Sequence, residues 1–540
     1  MVNRSQLVDL AASPINTTAL ANEMKDYPFD DEKALLLDGF RFGFRIPYHG
    51  PREKRLSKNH GSALKQPDII WKKLQEEISL GRVAGPFDVI PLQNLIVSPI
   101  GLVPKSNPGE YRLIFDLSYP QGESINSGIS REDSAVSYTK FDKVITMVRQ
   151  EGRGAYLFKV DIKSAFRLLP IHPQDFQLLG MEFQGKYFVD KCLPFGLSVS
   201  CSLFEKFSCF LEWHIQKVTL SKMIIHYLDD FCGCQSDREK AEHILNKILA
   251  SFAKLGVPVA QEKVEGPVTC LKFLGLEVDT VAMQVRIPQE KLDDLRKTIA
   301  WVISLADRKI TLKELQSLIG KLNFACKAIL PGRAFCRRLI DATIGVKKSF
   351  HKIRVSRNMV KDLVTWQSFL KNYNGATMML DEDSKILDLY TDASGGLGFG
   401  AYFEGHWTMG PWPEKIQSSK IDIMYKELFP IVLSLLLWGE SFKNSRVVFH
   451  CDNAAVVAIV NKQSTPHKLS MGLLRLLVYF CLINNIVFRA KHIPGKSNGI
   501  ADALSRFQLK RFKILAPQAD KVITAIPSQI WTQLLRKLDA

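Results

Sequence analysis

At 540 residues the chain is too long for one hydrophobic core, so two to four domains are expected; 46% hydrophobic and 24% charged residues are ordinary globular values that argue against a largely disordered chain. Lys and Arg outnumber Asp and Glu by 72 to 55, a net charge of +17, which favours a polyanionic partner, nucleic acid before a membrane surface. The ten cysteines contain no C-x-x-C pair, which excludes a zinc knuckle or a thioredoxin-type motif and predicts free, mostly buried thiols. Asp9 and Pro14 break the N-terminal apolar stretch, and the longest apolar run, residues 428–438, is too short to span a bilayer, so an intracellular, soluble chain in nucleus or cytoplasm is expected.

Residues 1–60 mix charges with turn signals and read as an N-terminal extension without legible chemistry. From about 65, DIIWKKLQEEISLG predicts a helix ending at Gly81. Strand texture follows, and the Pro-Gly step of SNPGEY marks a tight turn between two strands, with Lys105 before it and Arg112 after it. Next come a helix at FDKVITMVRQEG, a strand ending in Asp161 at AYLFKVDIKSAF, a hairpin about Gly185, and a helix after LPFGLSVS that leads into KMIIHYLDDFCGCQS.

Between about 283 and 370 the pattern turns helical; Thr311 and Glu314 stand at capping-box spacing, and apolar residues 315, 319, 322 and 326 follow the helical period. Residues 321–354 carry nine Lys/Arg against one acid, Asp341, more lopsided than a solvated face requires, which points to phosphate-backbone contact. Residues 372–385 are polar and acidic, a linker by composition. Alternating strands and helices then indicate an α/β domain, and the last 34 residues are basic without a motif.

Asp-Asp pairs occur at 30–31, 229–230 and 293–294, so the pair alone says little. Asp229–Asp230 differs in setting: the residues before and after are apolar, which puts both acids in the turn between two buried strands. Charge beside a core costs several kcal/mol unless neutralised. With Asp161 at the end of another strand, three carboxylates are available to chelate divalent cations, oxygen being what Mg²⁺ prefers. Turn aspartates without a function are the competing reading.

YLDD, VDIKSAFRLLPIHP, LPFGLSVSCSLFEK, LGVPVAQEK and KFLGLEVD resemble the palm motifs of reverse transcriptases. The stretch GPFDVIPLQNLIVSPIGLVPKSNPGEYRLIFDLSYPQGESIN is similar to the fingers of retrotransposon enzymes, most closely the DIRS-like, tyrosine-recombinase group. The resemblance implies a right-hand polymerase, with fingers and palm at 61–282 and a helical thumb or connection at 283–380. It makes Asp161, Asp229 and Asp230 the Mg²⁺-binding triad. Phe166 falls at the steric gate that selects dNTPs, Lys105 and Arg112 at fingers positions that hold the triphosphate, and Phe273-Leu274-Gly275 in the primer grip. Lys263 matches the lysine beside the leaving pyrophosphate, an ordinary surface lysine being the alternative. Phe195 stands where retroviral enzymes carry glutamine, and Leu228 where they carry methionine.

Further along, Asp392 lies in LYTDASGGLGFGAYF, Glu427 in YKELFPIVLSLLLW, Asp452 in VVFHCD and Asp502 in NGIADALSR. Pro430 is expected to confine Glu427 to the first turn of its helix. Each acid alone reads as a turn, helix-start, cap or surface residue. Together they resemble the ribonuclease H pattern of Asp, Glu, Asp, Asp, over an RNase H-like α/β domain at 386–506 followed by a basic tail at 507–540. Gly495-Lys496 replace the retroviral loop histidine, and His492 precedes that corner.

The implied fold is a multidomain α/β and α+β chain. The implied activity is RNA-directed DNA synthesis plus hydrolysis of the RNA of a hybrid, with two Mg²⁺ ions per site, Mn²⁺ as an alternative. RNA template, DNA primer, RNA/DNA hybrid and dNTPs are the implied partners, with no membrane. An RNA-dependent RNA polymerase and an inactive nucleic-acid binder are the alternatives; Phe166 and the seven intact carboxylates argue against them. No protease or integrase motif is recognisable, which leaves open that this is one segment of a longer element polyprotein.

Overall fold

The structure, a computed structural model, describes residues 4–104, 109–372, 377–378, 386–417, 421–443, 445–484 and 486–535. Its backbone divides into two units, Met1–Leu274 with Thr280–Ala282 and Gly275–Asp279 with Met283–Ala540.

In the first unit, helix α1 (Pro67–Ser79) starts on a proline and stops before Gly81, whose φ of +67° ends it. Strands β1 (Ile100–Pro104) and β2 (Tyr111–Phe115) pair antiparallel. Residues 105–108, Lys105 among them, lie outside the described residues. The centre is a four-stranded sheet of β3 (Tyr156–Asp161), β4 (Ile224–Tyr227), β5 (Asp230–Gln235) and β6 (Glu265–Val268), in the order β6-β3-β5-β4. Helices α2 (Ser200–Thr219) and α3 (Arg238–Leu255) pack on its strands. Most residues of β3, β4 and β5 are buried, those of β6 only partly.

Residues 1–60, expected to be an extension, are built into this unit. Leu20, Met24, Phe40 and Phe44 belong to its core, and Phe44 bridges to Ile171. The fully buried Asp175 accepts from Arg45 and Arg52, both at 2.7 Å, and from the Ile46 N–H at 2.9 Å. A second buried network forms around Arg167, whose guanidinium meets Asp190 and Glu77, each at 2.8 Å.

The second unit opens with α4 (Gln289–Ser304) and α5 (Leu312–Ala325), the latter closed by the Thr311/Glu314 capping box. Its buried face runs through Leu315, Leu318, Leu322 and Ala325. The basic run 321–354 is less free than its composition implies: Lys321, Arg337, Arg338 and Arg354 pair with Asp294, Asp341, Asp362 and Asp307. Helix α6 (Arg357–Asn372) takes in the first residue of the expected linker, and the rest of it, apart from 377–378, lies outside the described residues.

A five-stranded sheet follows: β7 (Ile386–Ala393), β8 (Gly398–Phe403), β9 (His406–Pro411), β10 (Arg446–Cys451) and β11 (Val487–His492), in the order β9-β8-β7-β10-β11. The pairs β7–β8 and β8–β9 are antiparallel; β7–β10 and β10–β11 are parallel. The parallel connections contain α7 (Ile423–Phe442), between β9 and β10, and α8 (Ala454–Lys462) with α9 (Lys468–Ile483), between β10 and β11. Helix α7 corrects the proline argument. It begins at Ile423, capped by Asp422, so Pro430 lies inside it and Glu427 is past the first turn. Burial of every residue from Tyr425 to Leu435 outweighs the hydrogen bond that the proline removes.

Helix α10 (Gly499–Ser505) closes the domain. The segment after 507 is not a free tail: α11 (Leu509–Leu515) sets Phe512 against Trp407, and α12 (Ser528–Leu535) sets Trp531 against Phe429 and Phe399. Between them Thr524 donates to the Trp407 carbonyl at 2.9 Å. No described helix is long and apolar enough to cross a membrane. Seven of the ten free cysteines are buried, and Cys270 is exposed.

Removing Arg167 leaves Asp190 buried and unpaired. Arg167→Ala is expected to lower stability by about 3–5 kcal/mol, read as a shifted midpoint in urea unfolding of the full chain, with Arg167→Lys losing less.

Candidate active sites

Tyr227 pairs with Asp230, so Leu228 and Asp229 form a two-residue hairpin tip. Leu228 takes φ +53°, a left-handed conformation unfavourable for a branched side chain. On the other side of β5 the register sets Asp230 opposite Asp161, and the Ile162 N–H bonds the Asp229 carbonyl at 3.0 Å. Strand pairing thus brings the three acids together. Burial, then the charges of Asp229 and Asp161, push Asp230 up to about 7; burial also raises Asp229. Lys263 reaches both oxygens of Asp161, at 2.9 and 3.0 Å, and its own pKa rises through that bond.

Arg112 is exposed on β2 and lines a cleft of about 290 Å³ with Ser164, Arg167, Asp190 and Phe195. Phe166, half-buried, packs against Phe195 and Phe204 at centroid distances of 5.1 and 5.5 Å. Its turn is held by the neighbouring Arg167 network. Of the residues aligned with the primer grip, Phe273 is buried, Leu274 and Gly275 both have positive φ, and the Gly275 carbonyl accepts from Lys291.

In the second unit Asp392 is near the end of β7, Glu427 in α7, Asp452 immediately after β10 and Asp502 in α10. Ligand atoms of Glu427, Cys451 and Asp452 lie within 4.8 Å of one another. Burial, then Asp392 and Asp452, push Glu427 up to about 9, and its Oε2 is buried without a partner. Burial, with Asp452 and Asp502 nearby, raises Asp392 to about 6, while Ser505 donates to its Oδ2. Against burial, Arg506 and Arg511, each at 2.6 Å, hold Asp502 below the usual carboxylate range.

Sequence reasoning missed Ser505, Arg506 and Arg511. The i,i+4 step from Asp502 to Arg506 was a usable signal; Arg511 depends on the fold of the segment after 507. His492 bonds the Asp452 carbonyl at 3.1 Å, and an added Cβ on Gly495 would stand 3.2 Å from Asp452 Oδ2, so this corner lies against the acid.

Residues 103–278 match the family model described as Reverse transcriptase (RNA-dependent DNA polymerase). That segment is thus similar to reverse transcriptases. It contains Asp161, Asp229 and Asp230; the acids of the second unit lie outside it. The genome polyprotein of Petunia vein clearing virus is 24% identical over 374 residues, 67% of this chain and 16% of that polyprotein. The Tf2-7 transposon polyprotein of Schizosaccharomyces pombe is 22% identical over 368 residues, 66% of this chain and 25% of the polyprotein. The chain therefore spans a quarter or less of the length of these curated relatives. The foamy viral protease–reverse transcriptase dRH, solved in complex with ds DNA, has a similar fold, with a TM-score of 0.50, 17% identity, and coverage of 88% of this chain and 81% of that one.

A carboxyl raised on folding favours the native state below its unfolded pKa, and that contribution is lost as pH rises through the folded value. For Glu427 the window runs from its ordinary value of 4.5 to about 9. In EDTA, Glu427→Gln is expected to exceed wild type in stability at pH 8 by more than about 1 kcal/mol and to lose that advantage towards pH 4.5, read by urea unfolding at both pH values.

Proposed function

We propose that the chain is an RNA-directed DNA polymerase with ribonuclease H activity from a retrotransposon, DIRS-like by its fingers motif. It copies the element's RNA into DNA and cuts the RNA of the resulting hybrid. The observation that carries this reading is the pairing of Asp161 with Asp230, which gathers three raised or cation-paired carboxylates inside the segment similar to reverse transcriptases. Both acid clusters suit Mg²⁺, two ions per site: their carboxylate oxygens are hard donors, and the buried, unpartnered Glu427 Oε2 lacks a counter-charge. When bound, the ions supply Lewis-acid stabilisation of the attacking and leaving oxygens of an in-line displacement.

The chain's own groups do the rest. Arg112 binds the triphosphate in the cleft through charge-assisted hydrogen bonds, the role that the resemblance also gives Lys105. Phe166, braced by Phe195 and Phe204, is a wall against the ribose 2′-OH. Lys263 neutralises Asp161 and stands ready for the departing pyrophosphate. In the nuclease Asp392, Glu427, Asp452 and Asp502 are the ligands, with Ser505 and the two arginines orienting Asp392 and Asp502. A nucleic-acid duplex as partner is in keeping with the +17 charge and with the ds DNA of the foamy viral complex.

Primer extension on an RNA template with dNTPs and Mg²⁺ tests the polymerase. Asp229→Asn is expected to lose at least about 100-fold in extension while retaining hybrid cleavage, and Asp452→Asn the reverse. No extension by wild type would leave a nucleic-acid-binding derivative as the surviving reading. Phe166→Val is expected to raise the relative use of rNTPs by about 10–200-fold, measured by single-nucleotide incorporation.

A further inference from the structure

Away from both acid clusters, helix α2 and strand β4 bring together donors that the proposed reactions do not use. Glu205, Cys209 and Glu212 follow one another at i, i+4 and i+7, on one face of α2. Opposite them is His226 on β4, 4% exposed. His226 Nε2 lies 3.2 Å from Glu205 Oε1 and 4.0 Å from Cys209 Sγ, and ligand atoms of all three residues fall within 4.8 Å of one another.

We propose that Glu205, Cys209 and His226 form a zinc site that pins α2 to the strand carrying the catalytic hairpin. The orientation of His226 is the first argument. Glu212 Oε2 stands 2.5 Å from Nδ1 and also accepts the His226 backbone N–H at 2.9 Å. With a metal on Nε2, the Glu212 carboxylate would hold the proton on Nδ1, the usual outer-shell arrangement of a ligating histidine. Without one, and against its burial, hydrogen bonds to Cys209, Glu205 and Glu212 push His226 up to about 11. The second argument is an unmet acceptor: Glu205, 8% exposed, has its Oε2 buried without a partner.

Spacing and chemistry agree. Tetrahedral zinc with ordinary bond lengths separates its donors by about 3.3–3.8 Å, and the measured 3.2 and 4.0 Å bracket that range. A thiolate and an imidazole select zinc over the Mg²⁺ suited to the all-carboxylate sites. Three protein ligands leave the fourth position to water. The strand pleat turns His226 to the face opposite Tyr227, towards α2, so the ion would be structural rather than part of the polymerase centre.

The test uses the full chain, purified with zinc present, freed of loosely held ions in EDTA and assayed for zinc. About one zinc per chain is expected, unchanged in Asp229→Asn and Asp452→Asn and lost in Cys209→Ser. Replacement by Co²⁺ is expected to give a thiolate-to-metal charge-transfer band that survives Cys451→Ser, needed because Cys451 adjoins the other acids, and disappears in Cys209→Ser. Glu205→Gln should weaken zinc binding at least about 10-fold. Should Cys209→Ser fail to fold, the wild-type and Cys451→Ser spectra decide. No retained zinc and no band, a band that follows Cys451, or NMR showing His226 with protons on both nitrogens in zinc-loaded protein would each overturn the proposal. The last would make His226 an imidazolium held between two glutamates.

Discussion

Like-charged carboxylates held together beside an apolar core are the constraint around which both units are built. Several kcal/mol oppose each such ion in a medium of low dielectric, and the neighbours make it worse. That is why Asp230 and Glu427 are pushed to about 7 and about 9. Backbone pairing keeps the groups from separating. The β3–β5 register fixes Asp161 against Asp230, and the parallel β7–β10 pairing sets Asp392, near the end of one strand, beside Asp452, which directly follows the other. A mobile surface would relax such repulsion by rotating side chains away; these sheets do not permit it. The resulting field attracts cations or protons, and the ordinary solvent of a cell offers both.

Each cluster is partly neutralised from outside its own sheet, and in the same manner. Lys263, from the segment after α3, takes Asp161; Arg506 and Arg511, from the end of α10 and from α11, take Asp502. In both cases one acid is paired with a cation, while the acids raised by burial, Asp229 and Asp230 in one and Glu427 and Asp392 in the other, have no cationic partner among the described ion pairs. Neutralising every acid would remove the attraction for a divalent ion, and neutralising none would leave the apoprotein with the whole repulsion. The arrangement lies between these limits, and its positive groups are long, flexible side chains able to turn towards a phosphate.

What could be read in the sequence was local. The hairpin at Asp229–Asp230, the strand ending in Asp161, the Thr311/Glu314 cap and the alternation of strands and helices after 386 depend on neighbours a few residues away, where periodicity and turn chemistry speak. Partners chosen over long distances were not legible. Nothing near Asp175 announces Arg45 and Arg52, and nothing in the segment after 507 announces that Trp531 will cover Phe429 and Phe399. Pro430 shows a local rule overridden: a helix buried on all sides tolerates a missing hydrogen bond that an exposed one would not.

Buried charge also decides where the second unit is continuous. Asp362 of α6 is 2% exposed and is held by Arg338 at 2.9 Å and by Arg475 of α9 at 3.4 Å. Arg475 also donates to the Ala334 carbonyl at 3.1 Å, so one side chain of the α/β domain is committed to the helical segment before it. A buried carboxylate with two guanidinium partners cannot lose one at small cost. The helical segment and the α/β domain are therefore bound as one body, despite a polar junction at 372–385 that reads as a linker. The division of the chain falls instead within residues 274–283, where the backbone passes between the two units more than once, beginning at Leu274–Gly275, two successive residues of positive φ.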